Sequence, residues 1–187
     1  LVAALQEEAR LAAEQFPFPT GEAVHTIYFG GGTPSLLTLS ELTQLLNAVR
    51  GHFNVDPDAE ITLEVNPDDI SEERLKEWRD AGINRLSIGV QSFFEEELRW
   101  MNRAHTAKQA FEQVKKAREY FNNITIDLIY GGPGLSDDQW HQDLEQAKAL
   151  NIPHLSCYAL TVEPQTPLNK MIRTGKVPDV DPDKQSR

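Results

Sequence analysis

Five short stretches of this 187-residue chain hold residue types that could do chemistry. Gly30-Gly31-Gly32-Thr33-Pro34 sets three glycines side by side, and a backbone without Cβ atoms can approach a ligand closely and offer it amide and carbonyl groups. Such a loop is either a plain strand-to-helix turn or a cradle. It lacks the P-loop lysine and the G-x-G-x-x-G spacing, so neither nucleotide fingerprint applies. Glu64-Val65-Asn66-Pro67 brings an acid and an amide two residues apart, where a buried carboxylate must be paired or hydrogen-bonded. Gly89-Val90-Gln91-Ser92-Phe93 supplies a second amide able to donate and accept, and Asp127 a second acid. Arg103, in Met101-Asn102-Arg103-Ala104-His105, has the planar fork that suits a ligand carboxylate, with a solvated surface arginine as the alternative. The histidines at positions 25, 52, 105, 141 and 154 form no ligand spacing, so no metal is assigned to them. Cys157 is the single cysteine; it rules out an internal disulfide and any site built on several thiolates of this chain, and among aliphatic neighbours it reads as a buried, unreactive thiol.

The elements that must position these residues follow from periodicity. Five β-type runs cover 26–29, 61–65, 85–90, 124–129 and 155–161. Between them, Leu42, Leu45, Leu46 and Val49 recur at helical spacing behind a Thr38/Glu41 capping box. A second helix runs from about Ser71, turns Leu75 and Trp78 inward, and stops at Gly82. A third starts at Thr106, three residues before Gln109, with Ala110, Val114, Ala117 and Phe121 on one stripe; a fourth spans about 137–150. One helix between successive strands is the signature of βα units with parallel strands, hence an α/β fold.

Strand phase separates an open, doubly covered sheet from a barrel. Ile61, Leu63, Val65, Leu86, Ile88, Val90, Ile124, Ile126 and Leu128 share one phase; Thr62, Glu64, Asn66, Ser87, Gly89, Gln91, Thr125 and Asp127 share the other. A sheet covered by helices on both faces should be apolar on both. The aliphatic side is therefore expected under helices and the polar side inside a partly closed barrel that holds a ligand. Residues 1–14 read as a helix, residues 181–183 as a helix start with proline in its first turn, and 162–183 as a long loop. With no strand ahead of the first helix, the chain is expected to be a fragment truncated at both ends and missing its first strand.

Composition narrows the partners. With 29 acidic and 18 basic residues the formal charge is −11, which repels nucleic acid and anionic lipid. No apolar run approaches the roughly 20 residues of a transmembrane span, and with no leader pattern and one cysteine the expected location is cytoplasmic.

Taken in order, Gly30-Gly31-Gly32-Thr33-Pro34-Ser35, Glu64-Val65-Asn66-Pro67, Gly89-Val90-Gln91-Ser92-Phe93, Asn102-Arg103-Ala104-His105, Asp127-Leu128-Ile129-Tyr130-Gly131 and the run 155–164 resemble the radical S-adenosylmethionine (SAM) proteins related to oxygen-independent coproporphyrinogen III oxidase. The resemblance covers nearly the whole chain. It implies a partial (βα)6 TIM-like barrel, with residues 1–187 as the radical SAM core. It implies that Gly31, Gly32 and Thr33 meet the methionine end of SAM, that Glu64, Gln91, Arg103 and Asp127 contact the molecule, and that Ala159 lies beside the adenine. It also implies a [4Fe–4S] cluster that passes one electron to SAM to generate a 5′-deoxyadenosyl radical, and an electron donor such as flavodoxin or ferredoxin. The C-x-x-x-C-x-x-C loop that holds the cluster is not in this sequence and is expected upstream of Leu1, so these residues alone are expected to bind no cluster and to be inactive. The stretches 91–93 and 155–164 resemble the heme-chaperone branch more than the true oxidases. The implied partner is heme or a porphyrin, with oxidative decarboxylation of coproporphyrinogen III as the alternative. An unrelated sugar-phosphate barrel would rest only on the generic glycines at 30–32 and 131–134.

Overall fold

A computed structural model of the chain describes residues 1–16 and 22–186. Five strands, β1 (Val24–Phe29), β2 (Val55–Val65), β3 (Arg85–Gln91), β4 (Asn123–Tyr130) and β5 (His154–Ala159), form one sheet in the order β1-β2-β3-β4-β5. Every neighbouring pair is parallel. Sequential order with a helix in each crossover makes a curled half-barrel, the expected α/β architecture, with β1 and β5 at its edges.

The outer face carries the core. The nine aliphatic residues of one phase on β2, β3 and β4 all belong to a single buried cluster. Four helices cover it: α2 (Leu39–His52) with Leu42 and Leu46, α3 (Glu72–Ala81) with Leu75 and Trp78, α5 (Ala107–Ala117) with Ala110 and Val114, and α6 (Asp137–Ala149) with Ala147. Their starts are fixed locally. Thr38 and Glu41 form the expected capping box, Thr106 and Gln109 another, and Ser136 and Gln139 a third. Gly82 closes α3 at φ 101°, a left-handed conformation that costs glycine little. The N-terminal helix α1 (Val2–Gln15) buries no residue, and α4 (Glu95–Trp100) is a short helix after β3.

Several expectations need correction. The run 162–183 is not one loop: α7 (Pro167–Arg173) starts behind the Thr166 cap, with proline at its first position, before α8 (Pro182–Gln185). β5 ends at Ala159 rather than at 161. β2 begins at Val55, six residues before the aliphatic run, because an irregularity in the β1–β2 register between Val24 and Thr26 absorbs the polar stretch that holds Pro57. Cys157 is exposed, not buried. It shares the outward phase of Leu128, its partner across the ladder, but β5 is an edge strand whose outward residues have sheet neighbours on one side only.

Candidate functional site

The parallel arrangement aims the C-terminal ends of all strands the same way, and the loops that leave them build the site. A cavity of about 150 Å³ opens there, lined among others by Gly32, Thr33, Glu64, Asn66, Ser87, Gln91 and Asp127. The carboxylates of Glu64 on β2 and Asp127 on β4 thus face one space across β3. Glu64 pairs with Ser87 on β3, and the Ser87 hydroxyl reaches Asp127, one inward position further along β4, at 3.4 Å.

Each lining residue is held. Glu64 accepts a hydrogen bond from the Tyr28 hydroxyl at 2.8 Å on one oxygen and from the Gly31 amide at 3.1 Å on the other. Loss of solvent around the phenol, and then the Glu64 carboxylate, push the Tyr28 pKa up to about 12, so Tyr28 stays a donor at any physiological pH. The glycine loop is what lets Glu64 reach a main-chain amide. Gly31 and Gly32 have φ of 80° and 65°, and a Cβ on either would meet nothing within 4 Å, so the loop's surface is bare backbone open to a ligand. Beyond it, Ser35 donates to Asp69, which also accepts from Asn66, while the Arg74 guanidinium donates to the carbonyls of Ser35 and Leu37. That network ties the loop's exit to β2 and α3.

Asp127 is less well served. The Ser87 hydroxyl donates to it only at 3.4 Å. Burial, and next among the raising influences the negative charge of Glu64, hold its carboxyl above the usual aspartate range, while hydrogen bonding from Ser156 works the other way. Gln91 closes the cavity from the end of β3 at φ 70°, and its Nε2 lies 3.0 Å from where a Cβ on Gly89 would stand. Gly89 therefore leaves the room that the Gln91 amide occupies.

Six of the eight expected residues gather in this way: Gly32, Thr33, Glu64, Gln91 and Asp127 line the cavity, and Gly31 donates to Glu64. Arg103 and Ala159 lie outside it. Arg103 is exposed and borders a larger, mostly apolar cavity of about 410 Å³ with Trp100, Met101, Ile129, Leu160 and Leu168. Ala159 is exposed at the end of β5, next to Leu160 of that second cavity. Tyr28 was not singled out from the sequence, although its ladder partner Thr62 belongs to the polar phase and flags it.

The donor set has a chemical meaning. Two carboxylates, two side-chain amides and hydroxyls around one small space, with open glycine backbone at the rim, suit a ligand that carries positive charge and an amino-acid-like end. A ligand cation would also offset the Glu64 charge, which adds to burial in raising Asp127. An iron–sulfur cluster does not fit the residues present: the chain has one cysteine, it lies on the outward face of β5, and no group of metal-ligating side chains occurs among the described residues.

The model of the radical SAM superfamily matches residues 4–147. The chain is 41% identical over 181 residues to the heme chaperone HemW of Mycobacterium tuberculosis, covering 96% of this chain and 46% of that protein. It is 43% identical over 150 residues to the heme chaperone HemW of Escherichia coli, covering 80% of this chain and 40% of that protein. Among solved structures, coproporphyrinogen III oxidase (HemN) from Escherichia coli, a radical SAM enzyme, superposes with a TM-score of 0.82 at 32% identity, covering 99% of this chain and 42% of the other. The chain thus spans less than half the length of these relatives. A half-barrel of parallel strands with a glycine loop at its mouth, a family match over most of the chain and relatives above 40% identity agree: the chain belongs to the radical SAM superfamily.

Proposed function

We propose that residues 1–187 form the SAM-holding wall of a heme chaperone. One observation carries the reading: Glu64 and Asp127, from strands that are not adjacent, face a single small cavity roofed by the glycine loop. SAM carries a sulfonium, an ammonium and a carboxylate, which match the two acids and the open glycine backbone beside them. The cavity of about 150 Å³ suits the methionine half. The adenosine half extends toward the apolar cavity bordered by Arg103 and Leu160, which accounts for the separation of Arg103 and Ala159 from the other residues. SAM supplies radical chemistry when a reduced [4Fe–4S] cluster is beside it; the residues described here bind it, orient it and set the charge around it. The thiolates for such a cluster come from outside this chain, and its electrons from a donor such as flavodoxin or ferredoxin.

Heme is favoured as cargo because the sequence relatives at 38–43% identity include heme chaperones from several bacteria, whereas the oxidase likeness is 32%. We place the protein in the cytoplasm on its acidic composition and single cysteine; no helix among the described residues is long and apolar enough to cross a membrane. The test is a titration of the full-length protein with SAM and with heme, alongside an assay for propionate loss from coproporphyrinogen III. Binding of both without decarboxylation is expected. Decarboxylation would assign the protein to the oxidases, and absence of SAM binding would overturn the reading.

A further inference from the structure

Gln91 is the most strained residue at the cavity. Its φ of 70° combines with a hydrogen bond from the Ser92 amide to the Val90 carbonyl at 2.9 Å, two residues apart. That is a γ-turn of the rare kind with positive φ at its centre, a conformation unfavourable for any side chain with a Cβ. Such a turn persists only where its surroundings over-determine it, and here they do so from both sides.

Downstream, Asp143 of α6 is fully buried at 0% exposure. Its two oxygens accept from the Ser92 hydroxyl at 3.0 Å and the Phe93 amide at 2.7 Å. The Ser92 oxygen in turn accepts from the Phe94 amide at 3.1 Å, so one carboxylate organises three consecutive residues after the turn. Upstream, the buried His105 ring places Nε2 3.1 Å from the Val90 carbonyl, the acceptor of the turn itself. Neither Asp143 nor His105 lines the cavity. A buried carboxylate without a cationic partner is costly, and a helix packing on a sheet does not require one, so its retention needs a local reason.

We propose that Asp143, backed by His105, is a positioning residue: it holds the Gln91 γ-turn so that the Gln91 amide stays aimed into the ligand cavity. The inference rests on the proposed SAM site for its functional consequence but on hydrogen-bond geometry for its structural one. Two measurements on the full-length protein separate these. In the ligand-free protein, hydrogen exchange of the Ser92, Phe93 and Phe94 amides is expected to quicken at least about tenfold in Asp143→Leu and little in Asp143→Asn, which keeps one acceptor oxygen. Unchanged exchange in Asp143→Leu overturns the proposal. In SAM titrations, Asp143→Leu and Gln91→Ala are each expected to weaken binding about tenfold, and the double variant about tenfold rather than a hundredfold, because both remove the same contact. Val114→Ala, which destabilises the outer core, is expected to leave affinity unchanged. Additive losses, or a loss in Val114→Ala equal to that in Asp143→Leu, overturn the positioning role. A wild-type protein that binds no SAM sinks the function proposed above and the ligand half of this inference, and the exchange result still decides the rest.

Discussion

The inner face of the sheet carries two polar layers that are built in opposite ways. At the N-terminal ends of the strands, Arg85 donates to the hydroxyls of Thr62 and Thr125 and lies 3.5 Å from Glu60 and from His154 Nδ1. Most hydrogen bonds there close on themselves, although the Arg85 charge also acts on Asp127 above it. At the C-terminal ends, Glu64 and Asp127 face each other's space without a cation among their hydrogen-bond partners in the described residues, beside a glycine loop with two positive φ angles and a strained Gln91. A polar inward face is thus not by itself a binding site. The satisfied layer is a structural plug, and the layer left with like charges and backbone strain is the one arranged for something that arrives later.

Breaking the lower layer should cost stability and spare binding. Arg85→Met removes the guanidinium partner of the buried Thr62 and Thr125 hydroxyls, and the free energy of unfolding in urea should fall by about 1–3 kcal/mol while SAM affinity changes less than about threefold. Breaking the upper layer should do the reverse. Glu64→Gln removes one of two like charges, so unfolding should stay within about 1 kcal/mol of wild type, while SAM affinity drops about ten- to a hundredfold in calorimetric titration. Equal behaviour of the two variants would erase the distinction between the layers.

The support beneath Gln91 can be sharpened by pH. Burial pushes the Asp143 pKa up to about 6, against an ordinary value of 3.8, with hydrogen bonds from Phe93 and Ser92 pulling the other way. Glu97 of α4 is the charged neighbour; it too is raised, first by burial and then by Asp143, and Lys184 of α8 offsets it. The folded state therefore holds the Asp143 proton more tightly than the unfolded chain does. Its stabilising contribution is full below about pH 4 and is lost as pH rises through about 6. The stability difference between wild type and Asp143→Asn should accordingly shift against wild type by about 1–3 kcal/mol between pH 4 and pH 7. A flat difference would mean that the carboxyl titrates as in the unfolded chain.

The smallest effect belongs to the edge of the sheet. Cys157→Ser should change stability by less than about 0.5 kcal/mol, and the wild-type thiol should react with a disulfide reagent in the folded protein. Slow reaction would restore the burial expected from its neighbours in sequence.

Much of the site was legible because strand phase is a local property. Glu64 and Asp127 sit at inward positions of parallel strands, and alternation with Leu63 and Leu128 declares as much without any contact being known, whereas at Gln91 the β3–β4 register slips and the residue pairs with outward-facing Leu128. The start of α2 and the stop of α3 were equally plain, since Thr38, Glu41 and Gly82 act within one turn of themselves. The β-type run that holds Cys157 was plain too, but its exposure was not, because burial depends on what lies across the sheet.

Residue order and type therefore determined the βα repeat, which face of each strand is greasy, and the set of polar side chains offered at the strand ends. Only the folded chain decided that Arg103 borders a second cavity, that Arg85 bridges the hydroxyls of Thr62 and Thr125, and that Asp143, some fifty residues downstream, accepts from Ser92 and Phe93 beside the turn at Gln91. The physical reason is range: caps, periodicity and phase act over a few residues, while cavities, like-charge repulsion and the support of a strained turn arise between segments that meet only when the sheet curls.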